Sequence, residues 1–308
     1  MKVIKCTEYG GPEVLKISKL KKPIPKDNEI LIKVHASTVT SGAVVMRSGK
    51  HPSSKFFTVM LRLFSGIKKP RKQVSGYEVA GEVEALGSYV DRFEVGDRVF
   101  GTTTGLPFGA YAEYVCVPQE WKAGVVAKIP ENIAYDEIVA LPIGGMTALH
   151  LLKKVNLKKG QKVLVYGASG SVGTFAIQLC KAFEANVTGV CSLSNLDLVK
   201  SLGADKVIDY NKEDFTNNSD KYDVIFDAVG YCPSSKCSKC LTKNGKYTSI
   251  SSPTSEKTEA LLHLRDLMER GTIKPFIDKI FPIEQIVEAH SYVDKGHKKG
   301  NVVISVNW

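Results

Sequence analysis

Residues 162–185 read KVLVYGASGSVGTFAIQLCKAFEA, and the reading of this stretch decides the fold. Val163 to Tyr166 is a short apolar run rich in β-branched residues, and Gly167-Ala168-Ser169-Gly170-Ser171-Val172-Gly173 breaks it with glycines at i, i+3 and i+6. Beyond the break, Val172, Phe175, Ala176, Leu179, Cys180 and Phe183 recur at helical spacing and make one apolar stripe. The unit is strand, glycine turn, helix. Gly170 lets backbone approach a pyrophosphate, Gly173 lets helix and strand pack closely, and the N–H groups at the helix start hold the anion. A dinucleotide suits such a unit.

Ala168 stands where the usual glycine pattern has its first glycine, so the motif alone leaves open a glycine turn that binds nothing. Its surroundings favour the nucleotide. Val187 to Cys191 (VTGVC) reads as a second strand, Val207 to Ile208 as a third, Tyr222 to Phe226 (YDVIF) as a fourth and Tyr247 to Ile250 as a fifth, with helical patterns between several of them. Strands alternating with helices predict an α/β segment with a parallel, doubly wound sheet.

A chain of 308 residues, 43% apolar and 24% charged, buries a sizeable core and divides into two domains. No apolar run approaches a membrane span and MKVIKCTEYGG lacks a signal-peptide core, so a cytoplasmic protein with no membrane partner is expected. Seven dispersed cysteines indicate free thiols and no disulfide framework. The net charge of +10 suits acidic partners. Its densest clusters, Lys68-Lys69-Pro70-Arg71-Lys72 and His297-Lys298-Lys299, have no interleaved aromatics, which favours solvated faces over nucleic-acid binding.

Residues 1–130 differ from the centre: short strands separated by Gly, Pro and Asn/Asp signals predict a small β-rich domain. Val3 to Cys6 and Val14 to Ser18 flank Gly10-Gly11-Pro12 as a hairpin. Glu29 to Ala36, Val79 to Leu86, Asp97 to Phe100 and Ala110 to Pro118 follow as strands. Ser53 to Phe64 carries Phe56, Phe57, Met60, Leu61 and Phe64 at helical spacing, which we read as core packing rather than a ligand-facing surface. Asp136 to Leu152 is helical and leads into a central domain at 131–275. Residues 276–308 return to a strand at Val302 to Val306 and one helix, Ile283 to Lys295.

Taken together, GYEVAGEVEALG (76–87), VGDRVFG (95–101), GAYAEYV (109–115), ALPIGGMTALHLL (140–152), KKGQKVLVYGASGSVG (158–173), LGADKVIDY (202–210) and DVIFDAVG (223–230) resemble the medium-chain dehydrogenase/reductases. They look like the zinc-independent quinone oxidoreductase branch that includes zeta-crystallin. The resemblance implies a GroES-like β-barrel catalytic domain (1–130, completed by 276–308), a Rossmann domain (131–275), and a cofactor cleft where they meet. The zinc-dependent branch has a cysteine and a histidine where this chain has Thr40 and Tyr77, and neither residue offers a soft thiolate or an imidazole. No zinc is expected. Cys232, Cys237 and Cys240 lack a fourth neighbouring ligand and are read as plain thiols.

Cofactor choice turns on the second strand's end. NAD-specific enzymes place Asp or Glu there, and this chain has Cys191-Ser192-Leu193-Ser194-Asn195. No carboxylate repels a 2′-phosphate, and Ser192, Ser194 and Asn195 offer hydrogen bonds, so NADPH is favoured over NADH. The family's usual Lys or Arg near Ser194 and Asn195 is absent, with Lys200 on the next helix. By resemblance, Tyr210 lies near the phosphate and Thr147 near the nicotinamide, and Gly167, Ala168, Ser169, Gly170, Ser171, Val172, Gly173, Ala228, Val229 and Gly230 line the cofactor. A second departure follows Ser251: only residues 252–257 precede the helix at 258–271, so the family's sixth strand, which commonly pairs two subunits, is missing and a homodimer of that type is in doubt.

These readings make the chain an NADPH-dependent, metal-free reductase of quinones or α,β-unsaturated carbonyls. Thr40, Ser41 and Tyr77 are the hydroxyls available to stabilise charge on a substrate oxygen. Thr40 and Ser41 equally suit a helix cap, and Tyr77 the packing of the barrel. Less favoured are an RNA-binding or crystallin-like structural protein, by analogy with zeta-crystallin relatives, and a zinc-type alcohol dehydrogenase.

Overall fold

The computed structural model describes every residue except 52–54, 218, 231 and 233. The chain divides into two compact units, Met1–Pro142 with Ile277–Trp308, and Ile143–Phe276.

The first unit begins with an antiparallel hairpin, β1 (Lys2–Cys6) and β2 (Leu15–Lys19). After it come β3 (Glu29–Thr38), helices α1 (Ser41–Ser48) and α2 (Lys55–Ser65), and strands β4 (Glu78–Leu86), β5 (Arg98–Thr102), β6 (Tyr114–Pro118) and β7 (Val126–Lys128). A short helix, α3 (Tyr135–Ile138), packs on β3 and β4. This packing carries the first unit to Pro142, past the change of composition near residue 130. Side chains two apart on each strand fill the core: Ile30, Ile32 and Val34 of β3 meet Val79 and Val83 of β4 and Val115 and Val117 of β6. β3 is the hub. It pairs along one edge with β4, and along the other with β6 over its first half and the C-terminal strand β14 (Asn301–Ser305) over its last residues.

Thr40 ends the run out of β3. Its side chain accepts from the Ala43 N–H at 3.0 Å and caps α1, while Gly49 closes that helix in the left-handed region at φ +60°. The cap anticipated for Thr40 is therefore made. α2 departs from expectation. The start assigned to Ser53 lies outside the described residues, and from Lys55 onward the helix turns Thr58, Leu61, Arg62 and Ser65 toward the protein and leaves Phe56, Phe57, Met60 and Phe64 exposed. The apolar stripe is real, but it does not pack into a core. What holds α2 is polar: the His51 N–H donates to Thr58 Oγ1, Arg62 Nε donates to the Gly49 carbonyl, and the Tyr9 and Ser65 hydroxyls lie 2.9 Å apart.

The second unit is a five-stranded parallel sheet. After α4 (Pro142–Lys154) come β8 (Lys162–Tyr166), α5 (Ser171–Ala182), β9 (Asn186–Cys191), α6 (Leu196–Ser201), β10 (Lys206–Asp209), β11 (Tyr222–Asp227), α7 (Ser234–Cys237), β12 (Leu241–Ser249) and α8 (Thr258–Glu269). The order β10-β9-β8-β11-β12 reverses direction at β8, which is the doubly wound arrangement. Residues 252–257 carry no strand, and β12 stands at the sheet's edge. Back in the first unit, β13 (Ile277–Pro282) pairs parallel with β14, and α9 (Ile286–Asp294) lays Ile286, Ala289 and Val293 on the barrel core.

The expectation of free thiols throughout is corrected at one place. Cys232, just after β11, and Cys237, at the end of α7, are joined in a disulfide. Cys6, Cys116, Cys180, Cys191 and Cys240 remain free.

Candidate active site

In the second unit, β8 runs into Gly167 at φ +77°, and the chain enters α5 through Gly170. The three glycines have different reasons to be there. A Cβ on Gly173 would lie 2.2 Å from the Gly167 carbonyl oxygen and 2.9 Å from Ala168 Cα, so the helix can rest on the turn only without a side chain. A Cβ on Gly167 would strike Val229 Cγ2 at 2.2 Å. Gly170 is neither at positive φ nor crowded: a Cβ there would meet only the Gly167 carbonyl oxygen, at an ordinary 3.5 Å. The protein itself does not demand glycine there, and the space is what a closely approaching pyrophosphate requires. No side chain caps α5, which leaves its positive end to an anion.

Two loops border this turn. The Asn195 amide donates to Ser169 Oγ at 3.0 Å, tying the end of β9 to the glycine turn, and Ser192 Oγ and Ser194 Oγ lie 3.3 Å apart. The Tyr210 N–H donates to the Cys191 carbonyl, which brings that half-exposed ring to the end of β9. On the other side the Ala228 N–H donates to the Tyr166 carbonyl, and Val229 packs against Gly167. The buried Asp227 carboxylate organises this second turn: it accepts from the N–H groups of Val229, Gly230 and Cys232 and from the Tyr247 hydroxyl, all within 2.9 to 3.0 Å. Thr147 stands one turn beyond Gly144, whose Cα packs so tightly on the start of α5 that a Cβ would meet Ser171 Oγ at 2.6 Å. Of the residues named from the sequence, Gly167, Ser169, Gly170, Asn195, Tyr210, Ala228 and Val229 thus lie around the end of β8, and Thr147 lies on the helix that packs against the start of α5.

In the first unit, Tyr77 lines a cavity of about 290 Å³ together with Cys6, Met46, Arg47, Arg71 and Lys72. Lys72 Nζ sits 4.6 Å above the Tyr77 ring, and burial pushes the phenol up to about 12, so its hydroxyl stays protonated. Beneath the cavity runs a buried polar chain. Arg47 donates twice to Asp294, the Tyr111 hydroxyl donates to the Thr38 carbonyl and meets His290 Nε2 at 3.2 Å, and Thr38 bonds the Glu78 carboxylate. Arg47 Nε and Nη1 and His290 Nδ1 are buried without a partner. Desolvation, assisted by the Arg47 charge, drives the His290 pKa down to about 3. No group of three or more His, Cys, Asp or Glu among the described residues is arranged to hold a metal ion.

Residues 26–131 match the alcohol dehydrogenase GroES-like domain, and residues 171–276 and 253–304 match zinc-binding dehydrogenase models. The chain is 34% identical to a 2-methylene-furan-3-one reductase of Solanum lycopersicum, over 99% of this chain and 79% of the relative. It is 32% identical to an Arabidopsis thaliana chloroplastic NADPH-dependent alkenal/one oxidoreductase over the same shares. A Coxiella burnetii quinone oxidoreductase superposes with a TM-score of 0.87 at 29% identity, over 100% of this chain and 99% of that one. This chain belongs to the medium-chain dehydrogenase/reductases, in the quinone oxidoreductase branch. It is an oxidoreductase, and the parallel sheet with its glycine turn is the nucleotide half of that family's fold.

Sequence reasoning missed two parts of the site. Asp227 lay inside the DAVG stretch that carried the resemblance, but three of its contacts need the turn after β11 to fold back on it, and the fourth, from Tyr247, appears only once β11 and β12 are side by side. The Arg47–Asp294 pair joins residues 247 positions apart, and no local pattern announces it.

Proposed function

We propose that this chain is an NADPH-dependent reductase of quinones or α,β-unsaturated carbonyls that works without zinc. One observation carries the reading: an uncapped helix start, uncrowded at Gly170, lies beside a β9 end whose own residues are Ser192, Ser194 and Asn195 with no carboxylate. The names of the tomato and Arabidopsis relatives support the substrate class. NADPH, when bound, supplies the hydride.

The chain's own residues bind and orient. The start of α5 holds the pyrophosphate, Ser192, Ser194, Asn195 and Tyr210 receive the 2′-phosphate, and Thr147 borders the nicotinamide. Thr40 and Tyr77 are the candidate donors to the substrate oxygen. Thr40 Oγ accepts the Ala43 N–H, which leaves its own hydrogen to donate, and Tyr77 with its raised pKa is a donor across the whole neutral range. Each donor aimed at the developing enolate or phenolate is worth about 3 kcal/mol. Thr40 and Tyr77, standing where a zinc enzyme needs Cys and His, provide no Lewis acid to lower the pKa of an alcohol.

The test is NADPH oxidation measured against a panel of enones, quinones and simple alcohols, before and after dialysis against a chelator. Enone or quinone turnover unchanged by the chelator, with no alcohol oxidation, is expected. Chelator-sensitive alcohol oxidation with stoichiometric zinc would refute the reading.

A further inference from the structure

α2 is built inside out. In a helix lying on a soluble domain the apolar stripe faces the core. Here Thr58, Leu61, Arg62 and Ser65 face inward, and Phe56, Phe57, Met60, Leu63, Phe64 and, just beyond the helix, Ile67 face out. Phe56 is 69% exposed, Phe64 74% and Ile67 65%, values that no solvated helix face needs. Within the helix Phe56, Met60 and Leu63 follow one another at i, i+4 and i+7, with Phe57 and Phe64 beside them at i+1 and i+8, so its outward residues form one continuous ridge.

Positive charge surrounds the ridge. Lys50, Lys55, Lys68, Lys69 and Arg71 are all exposed on the same segment, and the chain has no Asp or Glu between Glu29 and Glu78. We propose that α2 and the Lys68–Arg71 run form a docking surface for an anionic lipid bilayer, with the apolar ridge in the interface and the lysines at the headgroups. The charge selects this occupant. A second copy applied face to face would set like charges against one another, and a neutral protein groove would leave five cations unused. An interfacial helix of 11 residues lies in the membrane plane and spans nothing, which agrees with the absence of any helix long and apolar enough to cross a bilayer among the described residues. The expectation of no membrane partner rested on spans alone and did not address this mode. Docking of this kind places the chain where lipid-soluble carbonyls and quinones partition.

The probe is flotation of the whole chain with vesicles of phosphatidylcholine alone or with roughly one-third phosphatidylserine, at low and high salt. Recovery with the anionic vesicles, weakened by salt, and little recovery with the neutral ones is expected. Phe56→Glu with Met60→Glu removes the ridge without touching a core residue and should abolish recovery, with near-UV dichroism unchanged. Lys68→Gln with Lys69→Gln leaves α2 intact and should weaken binding about fivefold per lysine, about 25-fold together. Vesicle binding equal in the wild type and both variants, or no binding by the wild type, overturns the proposal. So does a wild-type dimer that Phe56→Glu with Met60→Glu splits to monomer in the absence of vesicle binding, because the face then belongs to a second copy.

Discussion

His290 gives the first unit a calculable acid sensitivity. Its Nε2 faces the Tyr111 hydroxyl, which already donates to the Thr38 carbonyl, so Nε2 carries the hydrogen and the partnerless Nδ1 is the atom that a proton must reach. Burial, with Arg47 beside it, lowers the folded pKa from 6.5 to about 3. Between these values the unfolded chain binds the proton and the folded chain does not, so stability is fully present above 6.5 and falls as pH drops toward 3. At about 1.36 kcal/mol per unit, the 1.5 units from 6.5 to pH 5 remove about 2 kcal/mol. His290→Leu deletes the titrating group at the cost of one hydrogen bond, about 1 kcal/mol, and Tyr111 keeps its Thr38 partner. The variant should be less stable than the wild type at pH 7.5 by about 1 kcal/mol, more stable at pH 5 by a similar amount, with the two curves crossing near pH 6. Trp121 and Trp308, the chain's two tryptophans, both lie in the first unit, so urea unfolding followed by their fluorescence reads this unit. Parallel stability losses in wild type and variant from pH 7.5 to 5 would refute a neutral, buried His290.

Two further predictions concern the site. Gly170→Ala should leave the melting temperature within about a degree and weaken NADPH binding strongly, whereas Gly173→Val should lose both binding and stability, by about 1–3 kcal/mol, since its Cβ lies 2.2 Å from a backbone oxygen; calorimetry with cofactor titration separates the two, and Gly170→Ala binding NADPH as the wild type does would remove the pyrophosphate from this turn. Tyr77→Phe should lower kcat about 100-fold with KM little changed, and the wild-type rate should not titrate through Tyr77 from pH 6 to 9, because a phenol at about 12 stays protonated there; rates within twofold of the wild type would return Tyr77 to a packing role.

What the sequence disclosed and withheld follows from range. The β8-turn-α5 unit was legible because its cause is local: a β-branched apolar run, three glycines and a helical stripe occupy 24 consecutive residues. The strands at 29–36, 79–86 and 222–226 were legible for the same reason. β7, at three residues, is too short to show a period, and β13 alternates little in burial and ends in Pro282. α2 shows the limit of periodicity itself. The spacing of Phe56, Met60 and Phe64 proves a stripe, but which way a stripe faces is decided by partners elsewhere, here Tyr9, Gly49 and His51. The Cys232–Cys237 pairing was likewise hidden, since a four-residue gap between two cysteines does not by itself say that they pair.

The measurement closest to the central claim is the dissociation constant of the purified chain for NADPH and for NADH under identical conditions. With Ser192, Ser194 and Asn195 at the end of β9 and no carboxylate among them, NADPH should bind at least about tenfold more tightly, the discrimination expected when a 2′-phosphate finds donors in place of an acid. Equal affinities, or a preference for NADH, would contradict the account and return Ser194 and Tyr210 to the surface of a loop.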